Sequence, residues 1–168
     1  ILIGLVGSEM CIRDRYVLGD DIMDLNTLYR TVIMDNYKNP KNKGLKKSSD
    51  YHFVHLNNPS CGDDMNVEIL IKNGKVEDIR HDGHGCSICC SSASVMSDTL
   101  KGKSVEEAKK IIYDFYGLVM GKEPQDEEAL GEAIAYMGVK DFPARIKCAT
   151  LSWKAIEQAI TEVEHEQK

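Results

Sequence analysis

The sequence predicts an α+β domain: a three-stranded antiparallel sheet from the first half of the chain, with helices packed on one of its faces. Three observations predict it. Asn73-Gly74 separates the runs Asn66–Lys72 and Lys75–Arg80, and this dipeptide is the strongest short signal for a two-residue hairpin. Tyr51–Leu56 is a short run closed by Asn57-Asn58-Pro59 and supplies a third strand. Beyond Cys86 the pattern turns helical and ends in Ile146, Ala149, Trp153, Ile156, Ile160 and Val163, spaced by alternating threes and fours as on a buried helix face.

Each element has its own signal. Residues 24–37 carry apolar side chains at 25, 28, 29, 32, 33 and 37, with Asp24 as N-cap and Asn39-Pro40 as the stop. Lys41–Ser49 is a polar loop. Its lysines, Lys41, Lys43, Lys46 and Lys47, extend from Lys38 as a basic run that reads as a solvated loop or as a docking patch for an acidic partner. After the hairpin, His81–Gly85 leads into small residues, Ser87–Thr99, that read as a helix with Cys86 near its start. Ser104-Val105-Glu106-Glu107 is a capping box opening a helix through about Leu118. A loop over Gly121–Asp126 precedes a short helix over Asp126–Tyr136, and Pro143 opens the last helix.

Length and composition limit the function classes. At 168 residues the chain builds one ordinary core. A net charge of −6 argues against general binding to nucleic acid or to anionic membranes. No apolar run is long enough to span a bilayer. Six cysteines are too sparse for a secreted disulfide scaffold and favour metal binding or thiol chemistry in the cytoplasm. Gly7–Arg15 resembles a translated sequencing adapter. Residues 1–22 are therefore expected to be a non-native or disordered leader, with Met23 as the start and residues 23–168 as the single domain.

The chemistry gathers on three segments. In Asn58-Pro59-Ser60-Cys61-Gly62-Asp63, the glycine lets side chains at i and i+2 reach one centre, although the tripeptide Cys61-Gly62-Asp63 also reads as an ordinary Asx turn. Gly83-His84-Gly85-Cys86 places a second thiol at a helix start, which favours the thiolate. Arg145-Ile146-Lys147-Cys148 adds a third thiol with Arg145 one turn before it, either facing the same centre or in a surface ion pair. Together Cys61, Asp63, Cys86 and Cys148 are four donors suited to tetrahedral Zn²⁺. Three thiolates and a carboxylate leave that site with excess negative charge, which Arg145 offsets if it faces the centre. His81 and His84 are rival ligands, and Cys89 and Cys90 read as small buried side chains.

From Leu25 to about Trp153 the chain resembles the SufU-type proteins, relatives of the IscU and NifU N-terminal iron–sulfur assembly fold. The resemblance rests on Leu28–Pro40, Asn57–Asp63, Gly83–Ile88 and Arg145–Trp153. It implies the IscU/NifU N-terminal-like fold, Cys61, Asp63, Cys86 and Cys148 as metal ligands, and Arg145 as a helper to the reacting Cys61. Lys147 stands where IscU-type scaffolds have histidine, and Gly117–Gly138 lengthens the connection between the last two cysteines. Both features point to SufU. The activity implied by this resemblance is that of a zinc-dependent sulfurtransferase, which takes persulfide sulfur from a SufS-type cysteine desulfurase and serves downstream iron–sulfur assembly. In that mechanism Cys61 leaves the metal on docking and a partner histidine replaces it, while Asp63 stays bound. The alternatives are a scaffold that holds iron or an iron–sulfur cluster, and a structural zinc module.

Overall fold

A computed structural model describes residues 25–168. The expected leader, the start at Met23 and the Asp24 cap lie outside the described residues. Helix α1 (Leu25–Lys38) leads into strands β1 (His52–Asn58), β2 (Asp63–Lys72) and β3 (Lys75–His84). Helices α2 (Ser87–Leu100), α3 (Val105–Val119) and the single turn α4 (Glu127–Leu130) come next, then a 3-10 segment (Gly131–Asp141) and α5 (Pro143–Glu166).

The sheet has the order β1-β2-β3, antiparallel throughout. Asn73 and Gly74 both take positive φ, 53° and 71°, as the tight turn between β2 and β3 requires. Val54, Val67, Ile69, Val76 and Ile79 are buried, and α2 and α5 lie against the sheet. The first strand begins one residue later than the sequence suggests, and all three strands run further. Asn58 pairs with Asp63, and Asp64 with His84. These ends are polar and poor strand formers, held by the ladder rather than by propensity.

The Lys41–Ser49 segment is a loop but not a loose one. Buried Glu68 accepts from Lys46 N at 2.8 Å and Lys47 N at 3.0 Å, and His81 Nε2 meets the Lys41 carbonyl at 2.7 Å. The stretch read as one helix over residues 126–136 is a single α-turn followed by the 3-10 segment. Gly131 takes φ +53°, which breaks the α-helix there. Leu130, Ala133, Ala135, Tyr136 and Val139 are buried, so the lengthened connection between Cys86 and Cys148 is part of the core. Ser104 caps α3 by accepting from Glu107 N at 3.1 Å. On α5, Ala149, Trp153, Ile156 and Ile160 are buried as the stripe requires, while Ile146 and Val163 are partly exposed.

Candidate metal centre

The centre is assembled where the β1–β2 turn, the start of α2 and the first turns of α5 meet. The Asn58 carbonyl accepts from Cys61 N at 3.2 Å and Gly62 N at 3.0 Å. Gly62 takes φ +71°, the left-handed conformation that a side chain would strain. The turn presents Cys61 to solvent and returns the chain to the sheet at Asp63, which is 1% exposed. Two neighbours in sequence thus have opposite environments.

Asp63 Oδ1 accepts from Cys86 N at 3.0 Å, joining the turn to the start of α2. Gly85 makes this approach possible, because a Cβ there would collide with Asp63 Oδ1. Cys86 is the N-cap of α2, and its side chain makes no capping hydrogen bond. Cys148, fully buried, comes from the second turn of α5. Its Sγ lies 3.9 Å from Asn58 Nδ2 and 3.9 Å from the Ala144 carbonyl.

Cys61 Sγ, an Asp63 carboxylate oxygen and Cys148 Sγ lie within 4.8 Å of one another. Cys86 falls outside that mutual limit but adjoins it, with its side chain in hydrogen-bonding reach of Cys148 and of Arg145. Burial first, then Asp63, Cys61 and Cys86, push the Cys148 thiol well above its ordinary range. Arg145 is exposed and contacts Cys148 and then Cys86, which hold its proton more firmly than usual.

Asp63 Oδ2 is buried and has no hydrogen-bond partner. A buried carboxylate oxygen without a donor is unfavourable, by about 1–3 kcal/mol or more for a charged group. A cation among these side chains removes that cost and reverses the electrostatics that hold Cys148 protonated. Three sulfurs and one oxygen are a donor set for a tetrahedral divalent ion, so the residues present fit one.

The other candidates fall differently. His81 is buried and committed to the Lys41 carbonyl, and His84 is an exposed residue at the end of β3. Cys89 is fully buried in the apolar core, whereas Cys90 is half-buried with its Sγ 3.7 Å from the Gly85 carbonyl. Lys147 is exposed beside Cys148. Two supporting residues escaped sequence reasoning: Asn58 as a neighbour of Cys148, and Gly85 as the space that admits Asp63. The signal for the second was present in Gly83-His84-Gly85-Cys86, a backbone with no side chain next to a thiol.

Residues 28–149 match the family described as the NifU-like N terminal domain. The chain belongs to that family. This NifU-like chain is 48% identical over 141 residues to the zinc-dependent sulfurtransferase SufU of Bacillus subtilis, covering 84% of this chain and 95% of the relative. It is 42% identical over 136 residues to the iron–sulfur cluster assembly scaffold protein IscU of Streptococcus pyogenes, covering 81% of this chain and 84% of that one. The crystal structure of a nitrogen-fixing NifU-like protein (N-terminal) from Brucella abortus shares the fold with a TM-score of 0.74 at 22% identity, over 82% of this chain and 94% of that chain. The α+β architecture expected from the sequence is thus the fold of this NifU-like family. Among the described residues no helix is long and apolar enough to cross a membrane.

Proposed function

We infer that this protein accepts sulfane sulfur from a cysteine desulfurase and carries it into iron–sulfur cluster assembly, around a zinc ion held by Cys61, Asp63, Cys86 and Cys148. The observation that carries the reading is Asp63, a buried carboxylate with one oxygen on Cys86 N and the other unpartnered among thiols. The similarity to the zinc-dependent sulfurtransferase of B. subtilis supports the same chemistry. A desulfurase of the SufS type is the matching donor. The described cysteines are all free, in keeping with a reducing compartment such as the cytoplasm.

When bound, Zn²⁺ supplies the positive charge that keeps the thiols deprotonated near neutral pH. Cys61 is the acceptor because it is exposed at the turn while Cys148 is buried. Its thiolate attacks the outer sulfur of the desulfurase persulfide. A new S–S bond forms at Cys61, the old one breaks, and the desulfurase cysteine leaves as a thiolate with the electron pair. Asp63 stays in place because the Cys86 N–H and the β1–β2 ladder fix it. Arg145, beside Cys148 and Cys86, offsets the charge in the pocket. Transfer to a downstream thiol repeats the exchange in the opposite sense.

Incubation with desulfurase and cysteine is expected to add one sulfur to Cys61 by mass spectrometry, and Cys61→Ala is expected to return desulfurase turnover to its unassisted level. Undiminished stimulation by Cys61→Ala removes Cys61 from the role. The similarity to the S. pyogenes scaffold favours a second reading, in which a cluster is built on the same residues. Anaerobic reconstitution separates the two, since only a scaffold passes a stable cluster intact to an apo-acceptor.

A further inference from the structure

We propose that Asn58 is a positioning residue: its buried side-chain amide donates to the Cys148 sulfur and holds Cys148 on the cation while Cys61 exchanges sulfur. This inference rests on the zinc-binding reading of the site and assigns a residue outside its four ligands.

Asn58 stands where its residue type needs a reason. Asparagine is a poor strand former, and an amide taken out of water is unfavourable unless it is hydrogen-bonded. Yet Asn58 ends β1 and is only 6% exposed. It pairs with Asp63 across the ladder, so the two side chains lie on the same face of the sheet. From there its Nδ2 reaches to 3.9 Å from Cys148 Sγ. The Asn58 backbone has a separate task, since its carbonyl accepts from Cys61 N and Gly62 N and so holds the turn that carries Cys61. Any residue supplies a carbonyl, so the turn does not account for the amide.

The chemistry of the sulfur accounts for it. In the metal-free protein the Cys148 thiol donates toward the Ala144 carbonyl, which leaves its lone pairs for the Asn58 N–H. A sulfur bound to a metal carries no proton and can only accept. Hydrogen bonds to an ionised acceptor are shorter and roughly twice as strong as neutral ones, so this long contact is expected to tighten when Cys148 becomes a ligand. Stabilising a thiolate in this way also lowers its nucleophilicity, which suits a ligand that stays in place. Arg145 cannot make the same distinction. It is exposed and divides its contacts between Cys148 and Cys86, whereas the Asn58 amide is buried and directed at Cys148. One residue thus holds the exchanging thiol through its backbone and the retained thiol through its side chain.

The test compares anaerobically purified wild type, Asn58→Leu, Cys61→Ala and Cys61→Ala/Asn58→Leu. Leucine branches as asparagine does and has no donor. Zinc affinity is measured by competition with a chromophoric chelator, and the state of the sulfurs by the sulfur-to-metal charge-transfer band of the cobalt-substituted proteins. Asn58→Leu is expected to lose roughly 10–100-fold in affinity, as removal of a partner to a metal ligand does. Its cobalt band is expected to move to longer wavelength at unchanged intensity, because every thiolate still binds but one has lost its N–H donor. The loss is expected to be as large in the Cys61→Ala background, since Asn58 acts through Cys148. Asn58→Ala, read by the same measurements, and metal-free melting curves separate these effects from a folding defect.

Wild-type affinity and band position in Asn58→Leu overturn the role. So does a band that loses intensity without moving, which would mean that a ligand is merely displaced, or a loss that vanishes in Cys61→Ala, which would place the effect on the turn. Each of these leaves the zinc-binding reading standing. A wild type that binds no zinc overturns that reading, and this role with it.

Discussion

Helix α2 touches two groups of buried polar atoms, and they are completed differently. Along its length, Ser92 donates to the Ala149 carbonyl at 2.6 Å and accepts from Trp153 Nε1 at 2.9 Å. Ser91 accepts from Tyr136 OH at 2.7 Å, and Ser94 donates to Asn36 Oδ1 at 2.8 Å. Phe115 stacks on Trp153 at 4.0 Å and meets Tyr136 edge-on at 6.0 Å, so the apolar parts of these side chains are covered as well. At the start of the same helix, Asp63 has one oxygen satisfied and the other not. Ser152 Oγ and Asp78 Oδ1 also lack a hydrogen-bond partner, but Ser152 is neutral and Asp78 Oδ1 lies 3.3 Å from Lys101 Nζ, whereas Asp63 stands among three thiols. Completed hydrogen bonding identifies the serine group as architecture. The incomplete carboxylate, set among thiols, is what a bound cation would complete.

The largest effect that tests this contrast is Trp153→Ala. It removes a fully buried ring and leaves Ser92 without its donor, with an expected loss of about 3–5 kcal/mol in urea unfolding. Metal affinity of the folded protein is expected to stay at its wild-type level, and a parallel fall in affinity would mean that the two groups are one unit. Asp63→Asn sharpens the contrast through its sign. Without metal, replacing a carboxylate whose buried oxygen lacks a partner is expected to raise stability by roughly 1 kcal/mol. With metal, the same change is expected to weaken binding, measured by chelator competition. Destabilisation in both states would show that Asp63 belongs to the architecture.

The smallest effect concerns His81, which holds the lysine-rich loop rather than the centre. Burial lowers its pKa below the ordinary 6.5, against an opposing contribution from the hydrogen bond to the Lys41 carbonyl. The unfolded chain therefore binds the proton more readily. This contribution to stability is complete above pH 6.5 and is lost as the pH falls toward the depressed folded value. The difference in melting temperature between wild type and His81→Gln, monitored through that interval, is expected to shrink on acidification.

Much of the fold was legible because its signals are local. Asn73-Gly74 gave the hairpin, Ser104 to Glu107 the cap of α3, and the stripe through Trp153 the buried face of α5. What was not legible depends on partners distant in sequence. The polar ends of β1, β2 and β3 are strand only because Asn58 meets Asp63 and Asp64 meets His84. The clamp on the Lys41–Ser49 loop depends on Glu68 and His81. At the centre, the types of donor and the glycine between Cys61 and Asp63 could be read from the chain. Their grouping as one donor set was also read from the chain, with the family resemblance pointing to the same four residues, but the unpartnered oxygen of Asp63 is visible only in three dimensions.

Gly85 offers no donor atom, carries no charge and takes no part in sulfur transfer. Yet a single methyl group there would press on the carboxylate of Asp63. In a genetic screen, an alanine codon at 85 is therefore expected to score alongside loss of a ligand, and an inventory confined to reactive side chains would misplace its cause.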